Sequence, residues 1–187
     1  MSWLNNDPDC PANCTDTSTP EVEFSDCAPV INAAQITDVF VTNPGNPLAN
    51  WNDPAEWAAR VSNTDPAASA IRRWTVIGSK PIPEATEKKI SHDRIIKGAK
   101  NHSLNLKVDE TNDTNYENIV RNSECGGQKV MWFLTSGGKL YGGNAGIECT
   151  ISMDDEIVED IEDIERFVGT AKWSAKYSPE RITSPIS

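Results

Sequence analysis

The sequence predicts an α+β domain made mostly of antiparallel β-sheet, with a flanking helix and an extended N-terminal arm. Two observations lead to this fold class. Apolar and polar residues alternate in several short segments, which is the period-2 pattern of strands with one buried face. Turns rich in glycine, asparagine and proline separate these segments. A sheet of this kind is expected to be a small β-sandwich or a rolled sheet.

The length of the chain, 187 residues and 20.5 kDa, suits one domain with a hydrophobic core. Residues 1–29 are rich in Pro, Asp, Thr, Asn and Cys and lack periodicity, which predicts an extended arm. Residues 30–187 are then a single β-rich domain. The longest run of large apolar residues, 130–134, is far shorter than the roughly 20 residues needed to cross a bilayer. No membrane span and no secretory signal are therefore expected, and synthesis should be cytosolic.

The first half of the domain contains two predicted strands and one predicted helix. Ile36–Thr42 is the first strand, and a turn-rich segment closes it. Asp53 is a predicted N-cap followed by a proline at the first helical position, so a helix should run to about Val61. Residues 73–78 form the second strand. Pro81-Ile82-Pro83 then excludes regular structure before a basic connector that is either helical or extended.

The centre of the chain combines a half-buried strand with a short helix. Residues 102–109 alternate in polarity, and the apolar face carries Leu104, Leu106 and Val108. Thr114 and Glu117 match a capping box, so a helix is predicted to begin there. The glycine pair at 126–127 should end it in the manner of a left-handed C-cap.

The pattern of the remaining residues predicts four more strand segments. Residues 128–135 and 140–141 flank a Ser-Gly-Gly-Lys turn, which is a strong hairpin signal. Residues 147–153 alternate between apolar and polar, and so do residues 167–177. The sheet is therefore expected to be antiparallel, with the helix lying across it.

The charge of the chain is strongly acidic and unevenly spread. Lys and Arg total 17 against 28 Asp and Glu, which gives a net charge of −11 and a sequence pI near 4.6. This acidity argues against affinity for a phosphate backbone or an anionic membrane. Residues 1–59 contain no Lys or Arg, whereas residues 80–107 contain seven basic and three acidic residues. Such asymmetry favours self-association through unlike surfaces.

The candidate catalytic and metal-ligating residues form no recognisable motif. The five cysteines are too few and too unevenly spaced for a secreted disulfide scaffold, which indicates structural thiols. Cys10, Cys14 and Cys27 resemble half a zinc site without its second pair. A catalytic pair would need Cys125 as the nucleophile and His92 or His102 as its base. However, Cys125 is predicted at a helix C-terminus, where the helix dipole disfavours the thiolate form. We expect no enzymatic activity, no cofactor and no metal.

The segment 154–165 is the sharpest charge feature. Its isoleucines at 157, 161 and 164 have helical spacing. The acidic residues considered for a channel-facing or partner-binding patch are Asp154, Asp155, Glu156, Glu159, Asp160, Glu162 and Asp163. The glycine of a calcium-binding loop is absent. Three interpretations stay open, namely a solvated acidic face, a wall that repels DNA phosphates, and a patch for a basic partner.

The run Val130–Leu134 is apolar on both faces. A strand of this kind in a small sheet protein is either central or covered by another subunit, so the run is the sequence argument for oligomerisation. The candidate core or interface residues are Val130, Trp132, Leu134 and Trp173. Alternatively, the tryptophans and tyrosines form an outward-facing platform for a glycan or small ligand.

The order of elements from Ile36 to Ile186 resembles a virion structural protein of a tailed bacteriophage, most nearly one of the tail-tube type. The residues that carry this resemblance are the strand at 104–108, the helix at 116–121, the stretch Trp132–Gly143, and the closing Trp173 strand with 178–181 after it.

The resemblance implies subunits that join edge to edge into a ring, usually hexameric, with rings stacked around a DNA channel. The partners would be other copies and neighbouring virion proteins, with DNA only passing through and no membrane. The protein would be assembled in the host cytoplasm and located in the virion. The cysteine-containing arm departs from a minimal tube protein, so collar, connector and terminator subunits stay alternatives. A monomeric glycan- or ligand-binding β-sandwich module is the other functional hypothesis.

Overall fold

A computed structural model describes residues 31–63, 69–89, 95–159 and 164–186, with the backbone alone at 88 and 95–97. The chain divides into two compact units, Met1–Ile31 and Asn32–Ser187. The predicted extended arm, residues 1–29, lies outside the described residues, and its conformation stays a prediction. The second unit contains every element described below.

The second unit consists mostly of antiparallel strands, which confirms the predicted fold class in its coarse form. Its strands are β1 (Ile36–Thr42), β2 (Arg72–Ser79), β3 (Glu84–Lys89), β4 (Ile95–Val108), β5 (Lys129–Thr135), β6 (Lys139–Tyr141), β7 (Ile147–Glu156), β8 (Arg166–Ala175) and β9 (Arg181–Thr183). Its helical segments are α1 (Pro54–Val61), α2 (Asp113–Asn115), a π-helical segment (Tyr116–Arg121) and α3 (Asn122–Glu124). The last three are consecutive and are called helix 113–124 below.

The strand pairings form a closed circuit. β1 pairs with β2 on one side and with β5 on the other, and β2, β4, β8, β7 and β5 pair in that order. β6 pairs with β5, and β9 pairs with β6. The basic connector is extended, because it forms β3 and the first half of β4.

The β3–β4 hairpin projects beyond the circuit. β3 pairs with β4 between Ile95 and Asn101, whereas the pairing of β4 with β8 begins at Lys100 and its pairing with β2 begins at Asn105. Within the described residues, residues 95–99 of β4 therefore lie in the part of the strand that pairs only with β3. This hairpin defines one end of the sheet, called the hairpin end.

Helix 113–124 lies at the other end, called the helix end. Its N-cap is Asn112, whose side-chain oxygen accepts a hydrogen bond from the Asn115 N–H at 2.9 Å. The predicted capping box at Thr114 is therefore wrong, because the asparagine two residues earlier already caps the first turn. Gly126 and Gly127 have φ of 69° and 100°, which confirms the predicted glycine terminus.

Two clusters of buried side chains pack on opposite faces of β1 and β5. The inner cluster lies inside the circuit and contains Ile36, Val39, Val41, Val76, Leu104, Leu106, Val108, Ile119, Val120, Met131, Phe133, Ile147, Cys149, Ile151, Met153, Phe167, Ala171 and Trp173. The outer cluster contains Phe40, Leu48, Trp51, Trp57, Ile71, Val130, Trp132 and Leu140. Helix α1 supplies Trp57, so its apolar face covers the outside of the circuit.

Candidate functional site

Strand β5 lies inside the molecule with both faces covered. Val130 and Trp132 are buried in the outer cluster, against which Leu134 packs as a half-buried residue. Met131 and Phe133 are buried in the inner cluster. Because this chain itself covers both faces, the apolar run needs no second subunit to explain it. A role of the strand in a subunit interface stays a prediction.

Trp132 is held by both packing and hydrogen bonding. Its ring meets the ring of Trp57 edge to face, with 5.4 Å between centroids. Its indole Nε1 donates to the carbonyl oxygen of Gly143 at 2.7 Å. Gly146, at φ 73°, passes so close that an added Cβ would lie 2.8 Å from the Trp132 ring. The glycine-rich turn after β6 is thus shaped around this ring.

Trp173 is buried beside a histidine at the hairpin end. The Trp173 ring stacks on the ring of its cross-strand partner His102, with 5.0 Å between centroids and 5° between planes. His102 is 2% exposed, and within the described residues neither ring nitrogen makes a hydrogen bond of normal geometry. Sequence reasoning did not assign His102 to the core. The sequence pattern that indicates its burial is the alternation of residues 102–109, which places His102 on the same face of the strand as Leu104.

The pKa of His102 is lowered from its ordinary value, first by burial and then by Lys80 and Lys100; a weaker backbone interaction with Ala175 opposes the shift. The folded state therefore binds fewer protons than the unfolded state below about pH 6.5. The stabilising effect of this difference is complete well above pH 6.5, begins to be lost as pH falls below that value, and is gone once the pH is below the lowered pKa of the folded state.

We expect the free energy of unfolding to decrease as pH falls below about 6.5, by at most about 1.4 kcal/mol per pH unit from this histidine. Urea titrations of the wild type and of His102→Leu at several pH values measure the contribution, since the carboxylates titrate equally in both proteins. The leucine variant should show the flatter profile below about pH 6.5. Parallel profiles would contradict the assignment.

The acidic segment begins as strand and continues into the connection between β7 and β8. Asp154, Asp155 and Glu156 belong to β7 and pair with β8, and Glu159 lies exposed in the connection that follows. The helix indicated by the spacing of the isoleucines is therefore wrong for 154–159. The physical reason is that β7 continues the alternation of residues 147–153 while it pairs with β8. Asp160, Glu162 and Asp163 lie outside the described residues. Asp154, Glu156 and Glu159 are exposed, and Asp155 is half-buried.

A cleft of about 500 Å³ lies between helix 113–124, the end of β1 and the start of β2. Trp74, Arg73, Asn115, Asn118 and Asn122 are among its lining residues. The Arg73 guanidinium donates to Asp38 Oδ1 at 2.7 Å, so one cation at the cleft is engaged by a carboxylate of β1. The cleft contains one half-buried tryptophan and several amides, a lining that could hydrogen-bond a polar ligand.

The cysteines of the described region do not form a reactive site. Cys149 is buried in the inner cluster, and burial raises the pKa of its thiol to about 12, so it is not a nucleophile. Cys125 is exposed at the end of helix 113–124, where its thiol donates to the Arg121 carbonyl at 3.6 Å. Cys10, Cys14, Cys27 and His92 lie outside the described residues. Among the residues placed by the structure, no three His, Cys, Asp or Glu side chains gather as a metal site would require.

None of the helices in the described segments combines the length and apolar character needed to cross a membrane. A scan against protein-family models found no matching family, and searches of curated proteins and of solved structures found no match. The function must therefore be inferred from the sequence and the geometry.

Proposed function

We propose that this protein is a structural virion protein of a tailed bacteriophage, whose copies assemble into rings or a tube that forms part of the tail or neck channel for DNA. The observation that carries the proposal is the pair of edge strands left by the pairing circuit. Within the described residues, β3 pairs only with β4 and β9 pairs only with β6. Exposed edges are a template for another chain, and pairing of neighbouring copies in a ring would cover them.

Two further features support this proposal. The closed circuit favours the rolled-sheet form of the predicted domain over the sandwich form. The net charge of −11 suits a channel through which DNA passes without binding, because acidic walls repel phosphates. The partners would be other copies, in a ring expected to be hexameric, and neighbouring virion proteins. The proposal includes no enzymatic activity and no cofactor, and it places the protein in the virion.

The cleft beside helix 113–124 supports a second candidate, a monomeric ligand-binding module. Its asparagines and Trp74 could contact a polar ligand such as a glycan. However, four of the five described tryptophans are buried in the two clusters, so they cannot form an exposed platform. The structural-protein proposal is therefore preferred.

Negative-stain electron microscopy with light scattering over a range of concentrations tests the proposal. We expect rings or tubes and a mass that rises with concentration. A strictly monomeric particle at all concentrations would contradict the proposal and favour the ligand-binding module.

A variant of β9 tests the edge contact directly. The Ser184 N–H donates to the Gly138 carbonyl, and the Gly142 N–H donates to the Glu180 carbonyl. Because alternate residues of an antiparallel strand bond to the same neighbour, the Arg181 N–H points away from β6 toward the open edge. Arg181→Pro removes that donor while the β6–β9 bonds remain. We expect ring formation to need about tenfold more Arg181→Pro than Arg181→Ala, the matched control. Equal assembly of the two variants would show that β9 is not the contact edge.

A further inference from the structure

The two ends of the sheet carry opposite charge. β4 and β8 connect these ends, because Asn101 pairs with Ser174 at the hairpin end and Val108 pairs with Phe167 at the helix end. At about 3.3 Å per residue, the ten residues of β8 separate the ends by about 30 Å. This distance exceeds the Debye length of about 8 Å in physiological salt, so each end presents its own field to solvent.

The helix end is acidic. Residues 109–124 contain five acidic residues and one basic residue, and the described residues 154–159 and 164–166 contain five acidic residues and one basic residue. Arg166 Nε lies 3.0 Å from Asp109 Oδ1, and Arg121 Nε lies 3.5 Å from Glu124 Oε2. The two basic residues are therefore engaged within this end, which leaves it with a large negative excess.

The hairpin end is basic. The described residues 80–89 and 95–101 contain five basic and two acidic residues. Lys80 and Lys100 repel one another at the base of the hairpin, since the pKa of Lys80 is lowered first by burial and then by Lys100. Both lysines also act on the buried His102. Positive charge is thus concentrated at this end, where a carboxylate from outside would be favoured.

Exposed isoleucines accompany the charges at both ends. Ile82, between two prolines before the hairpin, is 94% exposed. Ile157 and Ile164, in the connection between β7 and β8, are 82% and 62% exposed. Apolar side chains among unlike charges provide the buried area that surface ion pairs alone do not supply.

We propose that the helix end of one copy docks on the hairpin end of a second copy, so that copies stack head to tail. The carboxylates of 154–159 would meet the lysines of the β3–β4 hairpin, and the exposed isoleucines would pack between them. Such a contact is heterologous and does not close, so it propagates along an axis. The inference rests on the proposed function, because this contact would stack the edge-paired rings into a tube.

Paired charge reversals test the contact. Lys89→Glu with Lys176→Glu reverses exposed positions at the hairpin end, and Glu156→Lys with Glu159→Lys reverses exposed positions at the helix end. Lys172→Glu, compared with Lys176→Glu alone, is the matched control, because it makes the same charge change on the exposed wall midway between the ends, where Lys172 pairs with Ser103 and Thr150. Sedimentation velocity measures stacking, electron microscopy counts rings per particle, and circular dichroism verifies folding.

We expect each end-reversed variant alone to stack at least about tenfold more weakly than the wild type. An equimolar mixture of the two should stack again, because the lysines at 156 and 159 of one variant then face the glutamates at 89 and 176 of the other. The wall variant should stack like the wild type. Wild-type stacks should shorten between 0.1 M and 1 M salt, where the Debye length falls from about 10 Å to about 3 Å.

Several results would overturn the inference. One is wild-type protein that does not stack, and another is stacking that does not depend on salt concentration. The others are end-reversed variants that stack like the wild type, and folded end-reversed variants whose equimolar mixture does not stack. Single rings that never stack would refute head-to-tail docking and leave the proposed function standing. Failure to form rings at all would count against the proposed function.

Discussion

Replacement of Trp132 by alanine is expected to lower the free energy of unfolding by about 3–5 kcal/mol. The side chain has no exposed surface, contacts Trp57, and donates its indole hydrogen to Gly143. Truncation removes this ring from the outer cluster and leaves the Gly143 carbonyl with only the longer hydrogen bond from the Gly146 N–H, at 3.4 Å. Urea denaturation followed by circular dichroism measures the effect.

Trp74→Ala is the matched control for Trp132→Ala. Trp74 is half-buried at the cleft, so its loss should cost much less, about 1 kcal/mol. A Trp132→Ala protein with unchanged stability would contradict the central placement of β5. Reduced ring formation by a Trp132→Ala protein that keeps wild-type stability would instead indicate an interface role.

Replacement of Arg60 by alanine is expected to cost about 3 kcal/mol of stability. Arg60 is buried in α1, and its guanidinium donates to the carbonyls of Ser69, Pro47 and Asn46 at 2.8, 2.9 and 2.8 Å. Burial lowers its pKa, but the guanidinium of arginine stays protonated in proteins near neutral pH. The alanine variant would leave three carbonyls without this donor and loosen two loops from the helix.

Thermal unfolding of Arg60→Ala, Arg60→Lys and Arg181→Ala checks this expectation. Lysine keeps the charge but not the planar fork of donors, so Arg60→Lys should be intermediate. Arg181 is exposed, and its loss should change stability by less than about 0.5 kcal/mol. If Arg60→Ala unfolded at the same temperature as Arg181→Ala, the three hydrogen bonds of Arg60 would make no measurable contribution to stability.

Local pattern predicted most secondary structure because the signals were short-range. The N-cap Asp53, with its side chain accepting from the Ala55 N–H at 2.9 Å, begins α1 as expected. β1 spans the predicted Ile36–Thr42, and the hairpin of β5 and β6 turns where the glycines predicted. Capping, proline geometry and glycine φ act within a few residues, so they can be read from sequence.

Other features depended on partners distant in sequence. The acidic segment begins as strand because β7 pairs with β8, a contact that overrides its helical spacing of isoleucines. β9 was not predicted, since three residues carry little pattern and their pairing with β6 defines them. The burial of His102 likewise depends on Trp173 across the β4–β8 ladder.

The sequence by itself determined the fold class, the strand and helix positions with local signals, and the acidic excess of the chain. Tertiary structure alone decided that the apolar strand β5 is covered by its own chain, because α1 and the loop before it supply Trp57 and Trp51 to its outer face. It also decided that the basic and acidic segments lie at opposite ends. The physical reason is that burial and charge separation depend on which strands pair, and pairing is a long-range property of the sheet.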